Sequence, residues 1–176
     1  AEISQGRLEA LLNFQTMVCD LTALPLTNCS LLDEGTAAAE AMTMMFGLRS
    51  KEQVKEGIDT IFVDENIFPQ TMDVLKTRSV PQGIKVLVGD WKAFDFSTKI
   101  FGAILQYPNG DGLIEDYADF VKKCTEVGAK TAVAADIMSL VVLTPPGEWG
   151  ADIVFGSTQR FGVPMFYGGP SAAYMS

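Results

Sequence analysis

Lys130-Thr131-Ala132-Val133-Ala134-Ala135-Asp136 opens on a lysine, runs through small and β-branched residues without a polar break, and closes on a carboxylate. A run with no alternation over 132–135 predicts a strand covered on both faces, and such strands belong to parallel sheets flanked by helices. Similar short runs recur to either side, from Thr60 to Val63, Lys85 to Val88, Ala103 to Gln106, Ile153 to Phe155 and Ala172 to Met175. Between them, Gln70 to Arg78 carries Thr71, Val74 and Leu75 on one side, and Glu115 to Val127 carries Tyr117, Phe120, Val121 and Cys124 at helical spacing. Strands alternating with helices predict an α/β domain around a parallel sheet.

Towards the start, Leu8, Leu11, Leu12, Phe14, Met17, Val18 and Leu21 recur at three- and four-residue spacing. They predict an amphipathic helix from Ile3 to about Leu24, with Ser4, near Arg7 and Glu9, as its cap and Pro25 closing it. An alanine-rich helix is predicted over Thr36 to Phe46, after Asp33, Glu34 and Gly35, with Gly47 as its stop. The connections carry ordinary turn chemistry, as in Pro81-Gln82-Gly83, Pro108-Asn109-Gly110-Asp111-Gly112, Pro145-Pro146-Gly147 and Tyr167-Gly168-Gly169-Pro170.

Composition narrows the function classes. A chain of 176 residues, 48% apolar and 20% charged, is long enough for one sizeable core and has no apolar run that reads as a membrane span. The net charge of -9, with thirteen basic residues scattered along the chain, would repel a phosphate backbone, which argues against nucleic acid as a partner. There is no histidine, so serine-histidine triads and imidazole zinc sites are excluded. Cys19, Cys29 and Cys124 lack metal-ligand spacing and read as free, buried thiols in a reducing compartment. The first residue is not Met and no charged-then-apolar leader follows, so the chain is expected to begin inside a longer protein.

Three places could carry chemistry. In Leu32-Asp33-Glu34-Gly35-Thr36-Ala37-Ala38-Ala39-Glu40, Gly35 and Thr36 open a helix whose N-terminus could hold an anion such as phosphate, although taken alone an ordinary cap with a packing glycine explains them better. Asp136 follows an apolar strand at the end where ligands of open α/β sheets bind, or else it caps the next helical turn. Gly156-Ser157-Thr158-Gln159-Arg160-Phe161-Gly162-Val163-Pro164 sets small polar residues, an amide and an arginine in a loop at the same edge, or is a polar connection with Arg160 in a surface ion pair.

A phosphate-binding helix start, an aspartate at a strand end and a later polar loop, in that order, resemble the large domain of fold-type I pyridoxal phosphate enzymes. Longer segments narrow the likeness. The runs 2–17 (Glu2-Ile3-Ser4-Gln5-Gly6-Arg7 onward), 30–41, Thr144-Pro145-Pro146-Gly147-Glu148-Trp149-Gly150-Ala151-Asp152 and Gln159-Arg160-Phe161-Gly162-Val163-Pro164 resemble the amino-terminal half of the glycine decarboxylase P-proteins, and the likeness covers essentially the whole chain.

That resemblance implies a three-layer α/β sandwich around a mostly parallel sheet, with the strand near Ala172 to Met175 antiparallel. It implies a single partial large domain over 1–176, the small domain being absent. The complete enzyme would decarboxylate glycine on pyridoxal phosphate and pass the aminomethyl group to the lipoyl arm of the H-protein. Only the carboxyl-terminal half, or a second subunit, would keep the lysine that binds the cofactor. Carried over from the Val163-Pro164 and Gly168-Gly169-Pro170 anchors, the place of that lysine falls on Gln159, beside Arg160. An amide cannot form an imine, and a guanidinium is no substitute nucleophile.

Gly35, Thr36, Asp136, Ser157, Gln159 and Arg160 would then be a vestigial cofactor pocket or the wall of a site centred on the partner half, with no catalytic residue and no metal in this segment. The segment alone would be inactive and part of an oligomer in the cytoplasm, or in the mitochondrial matrix of a eukaryote. An alternative is a non-enzymatic interaction domain whose pocket binds nothing; a further one makes Lys130 the cofactor lysine, from the wrong end of its strand. The chain departs from many relatives where they carry histidine, having Phe68 before Pro69-Gln70-Thr71 and Ser171 after Gly168-Gly169-Pro170.

Overall fold

The computed structural model describes residues 4–28 and 30–176, so the expected helix start at Ile3 and the thiol of Cys29 lie outside it. Helix α1 spans Gln5–Thr22, α2 Glu34–Gly47, α3 Lys51–Lys55, α4 Pro69–Ser79 and α5 Ala118–Glu126. The strands are β1 Thr60–Asp64, β2 Lys85–Gly89, β3 Gly102–Tyr107, β4 Lys130–Ala135, β5 Ile153–Ser157 and β6 Ala173–Met175. All six form one sheet in the order β2-β1-β3-β4-β5-β6. Strands β1 to β5 are parallel and β6 pairs antiparallel with β5, opposing Phe155 to Met175 and Ser157 to Ala173. The mostly parallel sheet and its antiparallel last strand are as expected.

Side chains alternate across each strand, and this divides the core in two. Ile61, Val63, Ile104, Ala132, Ala134, Ile153, Phe155 and Ala173 face α2 and α4, against Ala37, Ala38, Ala41, Met42, Met45, Met72 and Leu75. Phe62, Ala103, Leu105, Val133, Ala135, Val154 and Tyr174 face the other way, against α5 and Val18 of α1. The result is three layers. Alanine on α2 and on the central strands lets that helix lie close over β4 and β5, and Gly35 allows the same against α4: a β-carbon there would come within 3.1 Å of Val74 Cγ2.

Several expected boundaries shift, each for a local reason. Ser4 stands at the N-cap of α1 but makes no side-chain cap bond, and the helix ends at Thr22 with Ala23 left-handed, before Pro25. Only Val18 and Thr22 of α1 are buried. Helix α2 starts two residues early because Asp33 caps it, and it ends at Gly47 with the Leu48 N–H returning to the Met44 carbonyl at 3.0 Å, without a left-handed glycine. Helix α5 starts three residues late, since Asp116 Oδ1 accepts the Ala118 N–H at 3.1 Å and closes a turn there. Strand β2 is an edge, with Leu87 and Val88 largely exposed, so it is not covered on both faces. The short helix α3 was unanticipated; Ser50 and Gln53 form a reciprocal capping box at its start. Cys124 is buried, which pushes its thiol up to about 11, whereas Cys19 is only half-buried.

Candidate functional site

Because β1 to β5 run parallel, their carboxyl ends share one rim of the sheet. On the face towards α2, two-residue periodicity carries from Ile104 to Gln106 on β3, from Ala134 to Asp136 just past β4, and from Phe155 to Ser157 on β5. The start of α2 overhangs this rim, and the short helical turn Gln159–Phe161 borders it. Two adjoining cavities result. One, of about 500 Å³, is lined by residues that include Glu34, Gln106, Asp136, Ser157, Gln159 and Arg160. The other, of about 420 Å³, shares Glu34, Ser157 and Gln159 and adds Asp33, Gly35 and Thr71.

Five of the six residues singled out from the sequence therefore line these cavities: Gly35, Asp136, Ser157, Gln159 and Arg160. Thr36 does not. Its backbone N–H is held by Asp33 Oδ1 at 2.7 Å, so at this helix start a carboxylate of the chain itself takes the donor that a phosphate would seek. Asp136 serves as cap and as ion-pair partner together. Its Oδ1 accepts the Met138 N–H at 3.2 Å and lies 3.3 Å from Arg160 Nε. Arg160 Nη2 also approaches Met138 Sδ at 3.1 Å. Ser157 Oγ accepts the Gln159 N–H at 3.2 Å, and the Gln159 amide donates to the carbonyls of Gly168 and Pro170 at 3.4 and 3.1 Å. Gln159 thus ties down the glycine-rich loop.

Phe68 and Ser171 lie far apart in sequence yet line the same cavity. Lys130 stands at the opposite end of β4 from Asp136, about 20 Å away by strand rise, and pairs with Asp152 at 2.8 Å.

Two site residues escaped the sequence reading. Glu34 lines both cavities, its Oε1 is buried without a hydrogen-bond partner, and burial pushes its carboxyl up to about 7. The Ser157 backbone N–H opposes that rise, while the negative charges of Asp136 and Asp33 add to it. Gln106 is 2% exposed; its Nε2 donates to the Ala134 carbonyl at 3.4 Å, but its Oε1 has no partner. The signal for Gln106 was its position two residues beyond Ile104 on the same face of β3. Glu34 is adjacent to the expected Gly35, but its burial has no sequence signature.

A second acid with buried carboxyl oxygens, Asp64 at the end of β1, faces the other side of the sheet. Both its oxygens lack hydrogen-bond partners, and burial raises its carboxyl against the pull of the Asn66 backbone N–H, with Asp90 and Glu65 adding to the rise. It lines neither cavity. Among the described residues, no group of three or more His, Cys, Asp or Glu side chains could hold a metal ion, and no helix is long and apolar enough to cross a membrane.

Solved structures share this architecture. An inhibitor-bound glycine decarboxylase (P-protein) of the glycine cleavage system superposes with a TM-score of 0.85 at 31% identity, over 99% of this chain and 40% of that one. A cystathione gamma lyase (CalE6) from Micromonospora echinospora superposes with a TM-score of 0.71 at 16% identity, over 92% of this chain and 40% of that one, a likeness of fold alone. The fold is that of the fold-type I pyridoxal phosphate enzymes. Among curated proteins, a glycine dehydrogenase (decarboxylating) of Bacteroides thetaiotaomicron is 69% identical over 175 residues, and one of Synechocystis sp. is 58% identical over 176. The match takes in 99% of this chain with the first and 100% with the second, and the chain spans only 18% and 17% of their lengths. The family model described as glycine cleavage system P-protein matches residues 1–176, and the chain belongs to that family.

Proposed function

We propose that this chain is the part of a P-protein that does not carry the cofactor: a structural segment of an enzyme that decarboxylates glycine on pyridoxal phosphate and transfers the aminomethyl group to a lipoyl H-protein. The observation that carries the reading is the state of Gln159. At the place implied for the cofactor lysine stands an amide, already donating to the Gly168 and Pro170 carbonyls. Two further features support it. The N-terminus of α2, where a phosphate would sit, is capped by Asp33 with Glu34 in its first turn, and two acids repel a phosphate dianion. Asp136, which would pair with a pyridine nitrogen, is engaged by Arg160 at 3.3 Å. These residues do not fit covalently bound pyridoxal phosphate.

The remaining contribution is assembly. Leu8 and Leu12 on α1 are 64% and 63% exposed, and neighbouring Leu11 is also open, an apolar strip suited to burial against the lysine-bearing half or another copy of the chain. A bacterial cytoplasm suits thiols kept reduced. The same strip favours, as a second reading, an interaction domain without catalysis; the lysine-bearing half encoded with the segment separates the two.

Borohydride reduction of a complete P-protein carrying these residues, in the presence of pyridoxal phosphate, followed by peptide mapping, tests the assignment. The expected pyridoxyl-lysine lies outside residues 1–176. A stoichiometric label on a lysine within them would overturn the reading and make the segment a cofactor site.

A further inference from the structure

Two acceptors in the cavity at the rim of β3, β4 and β5 lack donors. Gln106 Oε1 and Glu34 Oε1 are both buried and both unpartnered, on residues that line the same space of about 500 Å³. Polar oxygens left in this state cost free energy, so the chemistry missing from the cavity is a group rich in N–H. Charge agrees. Glu34 and Asp136 in this cavity, with Asp33 in the adjoining one, stand against the guanidinium of Arg160, an excess of acidic groups that favours a cation over a phosphate. Arg160 also has donors to spare, since Nε faces Asp136 and Nη2 faces Met138 while its side chain stays half exposed.

We infer that this cavity binds a free α-amino acid, with its ammonium group donating to Glu34 and Gln106 and its carboxylate on Arg160. The inference rests on the reading that the segment holds no pyridoxal phosphate. It turns a degenerate pocket into a second ligand site at the same rim. The carboxyl of Glu34, pushed up to about 7 by its burial, loses its proton more readily once an ammonium sits beside it, so affinity rises from acid towards neutral pH.

The test uses complete P-protein reduced with borohydride in the presence of pyridoxal phosphate, so that the cofactor site is covalently blocked, titrated by calorimetry with glycine, methylamine and acetate. Glycine is expected to bind once per copy of this segment, methylamine more weakly, and acetate not at all. Gln106→Leu and Glu34→Gln should each weaken glycine by about ten-fold, the loss of one buried charge-assisted hydrogen bond. Arg160→Ala, at a half-exposed side chain whose loss leaves the core intact, should weaken glycine and leave methylamine unchanged. Absence of heat with both glycine and methylamine would overturn the inference, as would glycine affinity indifferent to all three substitutions. The position of the pyridoxyl label reports separately on the cofactor reading: a label inside 1–176 sinks that reading, while a label outside with no second glycine site sinks this one alone.

Discussion

The two faces of the sheet are filled in opposite ways. Towards α5, Trp91 stacks edge-on to Tyr117 at 4.9 Å, Phe62 lies 4.5 Å from Phe94, and Phe120, Phe96 and Trp149 continue one aromatic mass. Towards α2, the contacts are largely alanine and methionine, and at the strand ends the packing gives way to two cavities. Each face also holds an acid with a raised carboxyl, Asp64 on the aromatic side and Glu34 on the open side. Bulk and ring geometry make the first face a rigid support, and small residues leave room for chemistry on the second.

The strongest way to break this contrast is to crowd the solid face. Gly156 faces Tyr174, and a β-carbon there would lie 2.2 Å from the Ala135 carbonyl oxygen and 3.0 Å from Tyr174 Cε1. Gly156→Val is expected to destabilise by at least about 3 kcal/mol, read as a fall in thermal midpoint or loss of soluble protein. A variant that melts like the parent would mean that the face is looser than its packing.

The open face is probed by pH. Glu34 has a folded-state value of about 7 against an ordinary 4.5, so the folded protein binds this proton more tightly than the unfolded chain. Stability from this group is present below pH 4.5 and is lost as pH rises, with the loss complete above about 7; it amounts to at most about 3 kcal/mol. Denaturant titrations between those limits should slope downward, and Glu34→Gln should flatten most of the slope. Asp64, shifted in the same direction, accounts for what remains at the acid end. A slope unchanged in Glu34→Gln would place the titration on the aromatic face.

The smallest effect sharpens the boundary between the faces. Tyr174 is buried and donates its hydroxyl to the Ala135 carbonyl at 2.8 Å, and burial holds its phenol well above the ordinary range. Tyr174→Phe is expected to cost about 1–2 kcal/mol in equilibrium unfolding, with no change in the Glu34 profile.

What could be read from the residues follows from what each feature depends on. Strand β4 was legible to the residue because burial on both faces writes an unbroken apolar run. The order of the rim residues was legible too, since Asp136, Ser157 and Gln159 follow apolar strands. Helix α3 was not seen, although Ser50 and Gln53 carry its capping signal, because five residues are too few to develop an apolar period. The start of α5 shifted because Asp116 competes as a local acceptor. Glu34 and Gln106 were missed for a deeper reason. A carboxyl is moved by the absence of water, and an amide is left unpaired by the arrangement of three strands, neither of which is a property of neighbours along the chain.

Thr27, Asn28 and Leu31 bond to β6. Leu31 and Ala173 exchange backbone hydrogen bonds at 2.8 and 2.9 Å, the Asn28 N–H reaches the Met175 carbonyl at 3.0 Å, and Thr27 Oγ1 joins the same carbonyl at 2.9 Å. On a ribosome this segment is made more than a hundred residues before its partner, so its backbone stays unpaired until β6 emerges. During synthesis, the interval between residue 31 and residue 175 leaves this segment open to a chaperone or to pairing with the wrong neighbour.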